Sequence, residues 1–590
     1  MLRTLCRTIA LLAVASLTAH AATTNLGTAS ERSGFRKTGR YDEVITLCHE
    51  FEKTWPQQVR CINFGTTPEG RPMLALVASR SGALTATAAH ERKLPVLLSQ
   101  GGIHAGEIDG KDAGLLLLRE LLENRVGKGT LEKVVWVFVP VFNIDGHERM
   151  GRWNRPNQRG PEEMGWRTTA QNINLNRDYM KADAPEMVAM LKLINEWDPI
   201  VYTDLHVTDG AQFEHDVSIQ IEPIHAGDAG LRDAGRALQN DLLEKLRKQG
   251  SLPLPFYPSF VINDDPTSGF ADVVAPPRFS TSYPMLRNRF GMLVETHSWK
   301  DYATRVRVTR NTLLDLIELS AERGAGWLDI AQAADTRAAQ LGGSSVPLDY
   351  KASDKAHMIA FRGYAYTRTP SAISGALMTH YDEKKPQIWN IPLRDDVQPI
   401  LSVTAPVGGY LVPSAYADDV ARKLDAHGVE YQRLSHALPH WATETFRADK
   451  HTIEATSFEN RTRMTLEGNW KAEPRDVPAG SLFVPIAQSR ARLAMGLLEP
   501  QAPDSLVAWG WFNGAFEQKE YMEEYVAEQI AREQMAKDAN LAAEFNQRLA
   551  TDPAFAKDPA ARLQFFAKRH SSWDERLNLY PVMRTAQRPD

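Results

Sequence analysis

Residues 94–124 read LPVLLSQGGIHAGEIDGKDAGLLLLRELLEN. The apolar run Leu94 to Leu98 suits a strand buried on both faces, Gly101-Gly102 marks a turn, and Gly110 to Asn124 has the pattern of a packed helix. The same unit recurs along the chain. Further strand candidates are Val134 to Phe142 (VVWVFVPVF), Ile200 to Leu205 (IVYTDL) and Met292 to Glu295 (MLVE), and a helix is expected from about Thr309 to Leu341. Apolar strands separated by helices predict an α/β fold, a mixed, largely parallel twisted sheet with helices on both faces.

After residue 340 the pattern changes. LGGSSVPLD, residues 341–349, is a linker by composition. Residues 350–500 predict a smaller α+β accessory domain, in which GYLVP leads into a helix over Tyr416 to His427 that Gly428 stops. Residues 501–590 predict a mainly helical region, with Asp558-Pro559 as N-cap and first helical residue of one helix. Before the sheet, residues 1–21 read as a signal peptide: Arg3 and Arg7, an apolar run from Ile9 to Ala19, and an Ala19-His20-Ala21 cleavage site. The run is shorter than the roughly 20 apolar residues of a membrane span, and no later segment reaches that length. The mature chain, whose first domain is expected at 22–340, is therefore expected to be exported, periplasmic or extracellular, with no transmembrane segment. Removal of the leader discards Cys6. Cys48 and Cys61 remain, either bridged between a helix and a strand or buried as separate thiols.

Composition narrows the class. The chain has 590 residues, 43% hydrophobic and 24% charged, with a formal net charge of −5. These values exclude a wholly disordered, collagen-like or multi-span chain. The electrostatic footprint of a nucleic-acid binder is basic, and this chain lacks it. Three cysteines exclude a disulfide scaffold.

The chemistry sits where the strands end. His104 and Glu107 follow the Gly101-Gly102 turn, at a spacing that lets an imidazole and a carboxylate reach one ion, and His206 ends the strand IVYTDL. Two histidines, one carboxylate and an open fourth position make a catalytic zinc site. Open α/β sheets bind ligands at the carboxyl ends of their strands. Asn174-Leu175-Asn176-Arg177 lies between the two ligand groups, and Glu295 closes GMLVE.

In this order of motifs, residues 40–330 resemble the zinc metallocarboxypeptidases of peptidase family M14. The resemblance implies that family's fold, one Zn2+ per chain on His104, Glu107 and His206, and Glu295 as general base. It implies that Asn176 and Arg177 bind the terminal carboxylate of a peptide substrate. Arg155, in GRWNRPNQRG, best matches the arginine that polarises the scissile carbonyl, with Arg159 as the alternative. Tyr283 is nearest in order to the tyrosine that caps the substrate. Asn174 stands where the family often has an aspartate orienting the first zinc histidine. An amide oxygen accepts the same N–H but lacks the charge that raises ligand basicity.

The expected activity is zinc-dependent hydrolysis of the C-terminal peptide bond. Two other readings compete: a zinc amidohydrolase for cell-wall peptides or acylated amino acids, to which the cluster Arg278, Arg287 and Arg289 would offer an acidic-side-chain site, and a non-catalytic peptide-binding protein. Retention of Glu295 with all three ligands argues against the last.

Overall fold

The computed structural model describes residues 26–589. The expected signal peptide lies outside them. Nine strands are carried by the first half: β1 (Val59–Thr66), β2 (Pro72–Ala78), β3 (Val96–Gly101), β4 (Val135–Val139), β5 (Val201–Val207), β6 (Val217–Glu222), β7 (Pro253–Leu254), β8 (Phe270–Ala271) and β9 (Phe290–Thr296). All but β8 form one sheet in the order β1-β2-β4-β3-β5-β9-β6-β7. The centre, β4-β3-β5-β9, is parallel, and β2 and β6 flank it antiparallel. The sheet is thus mixed, with a parallel centre.

Side-chain alternation sends the central strands into two cores. Val96, Leu98, Val135, Val137 and Val139 share one with Met187, Leu191 and Ile194 of the helix Pro185–Trp197. Leu97, Trp136 and Phe138 share the other with Leu115 and Leu118 of the helix Asp109–Leu122 and with Val308 and Leu313 of the helix Tyr302–Ala338. Each such fully buried side chain contributes about 1.5–3 kcal/mol relative to exposure. The buried Arg305 ties the two helices of the second core together, its Nε donating to Asp109 at 2.9 Å.

The helix Asp109–Leu122 and the four predicted strands are present with ends shifted by a few residues. The long helix starts earlier than expected, at Tyr302, because Asp301 caps it by accepting from the Thr304 N–H. Strands β1, β2, β6 and β7 were not among the strands expected: β1 and β6 carry mixed sequences, β7 has only two residues, and β2 (PMLALVA) is a further apolar run. Cys48, on the helix Tyr41–Thr54, and Cys61, on β1, are joined by a disulfide with Cα atoms 5.4 Å apart.

Strand β10 (Ser345–Ala352) begins inside the stretch expected to be a linker and pairs with β13 (Val397–Thr404). Between them β11 (His357–Pro370) and β12 (Leu377–Arg394) form a long hairpin, which returns to the first half through pairing of β12 with β8. A six-stranded sheet follows, carrying the helix Ser414–His427, whose end Gly428 fixes at φ 64°. The last strand of the chain, Met583–Thr585, is inserted between Gly409–Val412 and Glu444–Ile453. Ahead of it are the C-terminal helices, including Pro559–Ala567 capped by Asp558. The overall architecture is an α/β sheet domain followed by α+β structure and C-terminal helices. Among the described residues no helix is long and apolar enough to cross a membrane.

Candidate active site

The turn after β3 places the first ligand pair. Gly102 has φ 61°, and a Cβ on Gly101 would lie 2.7 Å from the Pro140 carbonyl oxygen, so the chain passes only with glycines there. It delivers His104 and Glu107 to the ends of the parallel strands. His206, near the end of β5, lies opposite Glu295 of β9 in register.

His104, Glu107 and His206 are buried, with one donor atom from each within 4.8 Å of the others. Both imidazoles turn Nδ1 inward: His104 Nδ1 is 3.0 Å from Glu107 Oε1, and His206 Nδ1 is 3.0 Å from Glu107 Oε2. The outward nitrogens are held too. His104 Nε2 donates to Asn174 Oδ1 at 3.1 Å, and His206 Nε2 to Asp204 Oδ2 at 2.6 Å. Those bonds leave the Nδ1 lone pairs free for a metal. Two nitrogens and a carboxylate converging on one point, with both tautomers fixed, fit a zinc ion with an open position.

Charge is distributed unevenly. Burial pushes His104 down to about 4. For His206, Asp204 outweighs burial and holds the ring well above its ordinary value. Burial would raise Glu107, but Arg155 and the two histidines hold it well below the usual carboxylate range. Burial, with Glu107, Asp204 and Asp209 nearby, pushes Glu295 up to about 8. Its Oε2 is buried and makes no hydrogen bond, although the side chain lines the cavity.

A cavity of about 500 Å³ runs from the ligands past Asn176, Arg177, Phe279 and Leu293 to Asp349, Tyr350 and Lys351 of β10. Arg177 has no carboxylate partner within ion-pair distance among the described residues; its Nη1 donates to the Asn176 carbonyl at 2.7 Å and its guanidinium lies 4.1 Å from the Phe279 ring centroid. Burial, with Arg167 and Arg278 nearby, brings it down to about 10, still charged at neutral pH. Asn176 Oδ1 accepts the Ser280 N–H at 3.0 Å. Elsewhere in the lining, His225 Nδ1 is 2.8 Å from Glu222 Oε1, and burial pushes Asp272 up to about 6.

Of the two candidate arginines, Arg155 reaches the ligands: its Nη1 is 3.0 Å from Glu107 Oε1 and its Nη2 is 3.2 Å from Asp209. Arg159 is taken up by Glu383 of β12. Tyr283 is corrected. It is fully buried away from the cavity, and its hydroxyl donates to His427 Nδ1 at 2.8 Å, because the turn Pro284–Arg287 carries it into the core. Tyr257 lines the cavity instead, and burial with the charges of Glu295 and Asp209 pushes its phenol up, keeping it a hydrogen-bond donor. The three clustered arginines offer no acidic-side-chain site. Arg278 pairs with Asp504, and Arg287 and Arg289 turn toward Asp198, with Asp335 also on Arg289.

Sequence reasoning passed over Asp204, Arg167, Asp209 and Tyr257. Asp204 had a visible signal, a carboxylate inside an apolar strand two residues from a ligand and so on the same face. Arg167, whose Nη1 is 3.4 Å from Glu107, had none.

Residues 44–218 match the family model of peptidase M14, zinc carboxypeptidase. Carboxypeptidase 2 of Trichophyton rubrum is 24% identical over 481 residues, covering 75% of this chain and 78% of that protein. Among solved structures, a metallo-carboxypeptidase from Burkholderia cenocepacia aligns with TM-score 0.34 and 15% identity over 47% of this chain and 69% of that one. One from Pseudomonas aeruginosa aligns with TM-score 0.35 and 14% identity over 48% and 68%.

Proposed function

We propose that this chain, whose residues 44–218 match the zinc carboxypeptidase family model, is a peptide hydrolase that removes the C-terminal residue of peptides, using one zinc ion held by His104, Glu107 and His206. The observation that carries this reading is Arg177, a buried-walled guanidinium without a carboxylate partner, in one cavity with those ligands and Glu295. A guanidinium fork suits a planar carboxylate, which it holds by paired charge-assisted hydrogen bonds. With Asn176 beside it, it seats the free end of the peptide and sets the terminal bond over Glu295.

Bound zinc would supply Lewis acidity and bring a water near neutral pKa. Glu295, desolvated and thereby a stronger base than an exposed carboxylate, takes a proton from the attacking water and returns it to the departing amine nitrogen. Arg155 donates to the carbonyl oxygen as negative charge develops there. Tyr257, which lines the same cavity, donates a further hydrogen bond to the substrate. Water adds across the C–N bond, leaving a shortened peptide and a free amino acid.

Export is part of the proposal. The Cys48–Cys61 bridge supports an oxidising compartment. The test compares a peptide bearing a free carboxylate with its amidated twin, before and after chelation and zinc restoration. Turnover of the free acid alone, lost and recovered with the metal, is expected. Equal turnover of both would remove exopeptidase action.

A further inference from the structure

Asn174 is a junction. Its Oδ1 accepts the His104 Nε2–H and also caps the short turn Leu175–Arg177, accepting the Asn176 N–H at 3.1 Å. One amide oxygen therefore orients a metal ligand and the turn that presents Asn176 and Arg177. The backbone N–H of Asn174 donates to Glu459 Oε2 at 3.2 Å, across 285 residues of chain. This carboxylate comes from the second half of the molecule.

The way Glu459 is held is costly. Phe458 and Arg461 exchange both backbone hydrogen bonds, at 2.8 and 3.1 Å, so Glu459 and Asn460 form a two-residue hairpin tip. Their φ angles are 49° and 67°. Such tips favour Asn-Gly, and a glutamate in the left-handed region is strained. Strain of this kind persists where the surroundings hold it and clusters at functional positions. Here the tip is braced on both sides: Arg461 pairs with Asp183 through two contacts of 2.8 Å, and Phe458 stacks on Trp509 with centroids 6.1 Å apart. The brace presses the tip against the Asn174 turn. Glu459 also acts as an opposing charge on Arg177, among the like charges of Arg167 and Arg278.

We propose that Glu459 is a positioning residue for carboxylate recognition, holding the Asn174–Arg177 turn so that Arg177 faces the substrate's free end. The region after residue 341 thereby completes the substrate site, to which β10 already gives a wall. The inference rests on the carboxypeptidase reading above, and it assigns the accessory structure a part in recognition.

The test uses the full-length, zinc-loaded chain in a Glu295→Gln background, titrated calorimetrically with acetyl-Ala-Phe and with its amide. Loss of one hydrogen bond to a charged group predicts that Glu459→Ala weakens binding of the free acid about tenfold and leaves the amide unchanged. Glu459→Gln keeps an acceptor for the Asn174 N–H while removing the charge, and it binds at least as well as the parent. Glu459→Gly, relieved of backbone strain, melts no lower than the parent yet loses binding as the alanine variant does. With Glu295 restored, the loss in Glu459→Ala falls on KM and leaves kcat within about threefold. Parent-like binding in the alanine and glycine variants, or a glutamine variant as weak as alanine, overturns the proposal. A parent that binds the acid no better than the amide removes the carboxypeptidase reading, and this inference with it.

Discussion

His206 Nε2 stands 2.6 Å from a charged oxygen of Asp204, whereas the corresponding nitrogen of His104 is met at 3.1 Å by the neutral amide of Asn174. The two imidazoles are thus oriented alike but differ in basicity. Asp204→Asn keeps an acceptor and removes the charge, so zinc affinity should fall about tenfold, toward the 10–100-fold range for loss of such partners. Chelator competition measures it, and unchanged affinity would mean that Asp204 serves only packing.

Glu295 makes no hydrogen bond through Oε2 and is the sole carboxylate in the cavity proposed to move a proton. Glu295→Gln should lower kcat about 10²–10⁴-fold with KM nearly constant. Steady-state hydrolysis of a free-carboxylate peptide reads both, and retention of kcat would remove the general-base role.

Among the described residues Arg177 makes no ion pair with a carboxylate, so truncating it costs binding more than folding. Arg177→Ala should reduce kcat/KM for the free acid about 10²-fold, the worth of a charge-assisted pair, while the amidated peptide is unaffected. A parallel fall for both peptides would place Arg177 in general structure.

Asp183 reports on the junction between the two halves. Burial would raise its carboxyl, but Arg461, with Lys181 and Lys423, brings it down to about 2 from an ordinary 3.8. A depressed carboxyl stabilises the fold above its unfolded pKa, and that stability is lost as pH falls through the folded value. Asp183→Asn should therefore melt lower than wild type at pH 7, and the gap should close between about pH 4 and pH 2. Thermal melts across that window test it; a gap independent of pH would assign the loss to packing.

The bridge Cys48–Cys61 closes a short loop with a sequence separation of 13. Cys48→Ser with Cys61→Ser should cost about 3 kcal/mol in denaturant melts under oxidising conditions, on the chain-entropy view. No difference between variant and wild type would show that the helix and β1 hold together without it.

The parallel centre was legible from its apolar strands, and the convergence of His104, Glu107 and His206 could be read because each stands near the end of one. Tyr283 was misplaced for the opposite reason. Order along a loop says nothing about which way a side chain turns, and the short turn after it points the ring at His427. Tyr257 lay in a stretch without periodicity. Strands β1, at the sheet edge, and β6, beside the parallel centre, were missed because antiparallel pairing tolerates mixed composition. Glu459 was out of reach of any local pattern, since only the assembled fold brings it to Asn174.

The insertion of Met583–Thr585 into the middle of the accessory sheet sets a schedule. A ribosome delivers His104, Glu107 and His206 early, but the strands that this segment joins stay incomplete until nearly the whole chain has been made. The hairpin tip that carries Glu459 joins two strands of that sheet, so its contact with Asn174 is set only after the residues lining the cavity have been made.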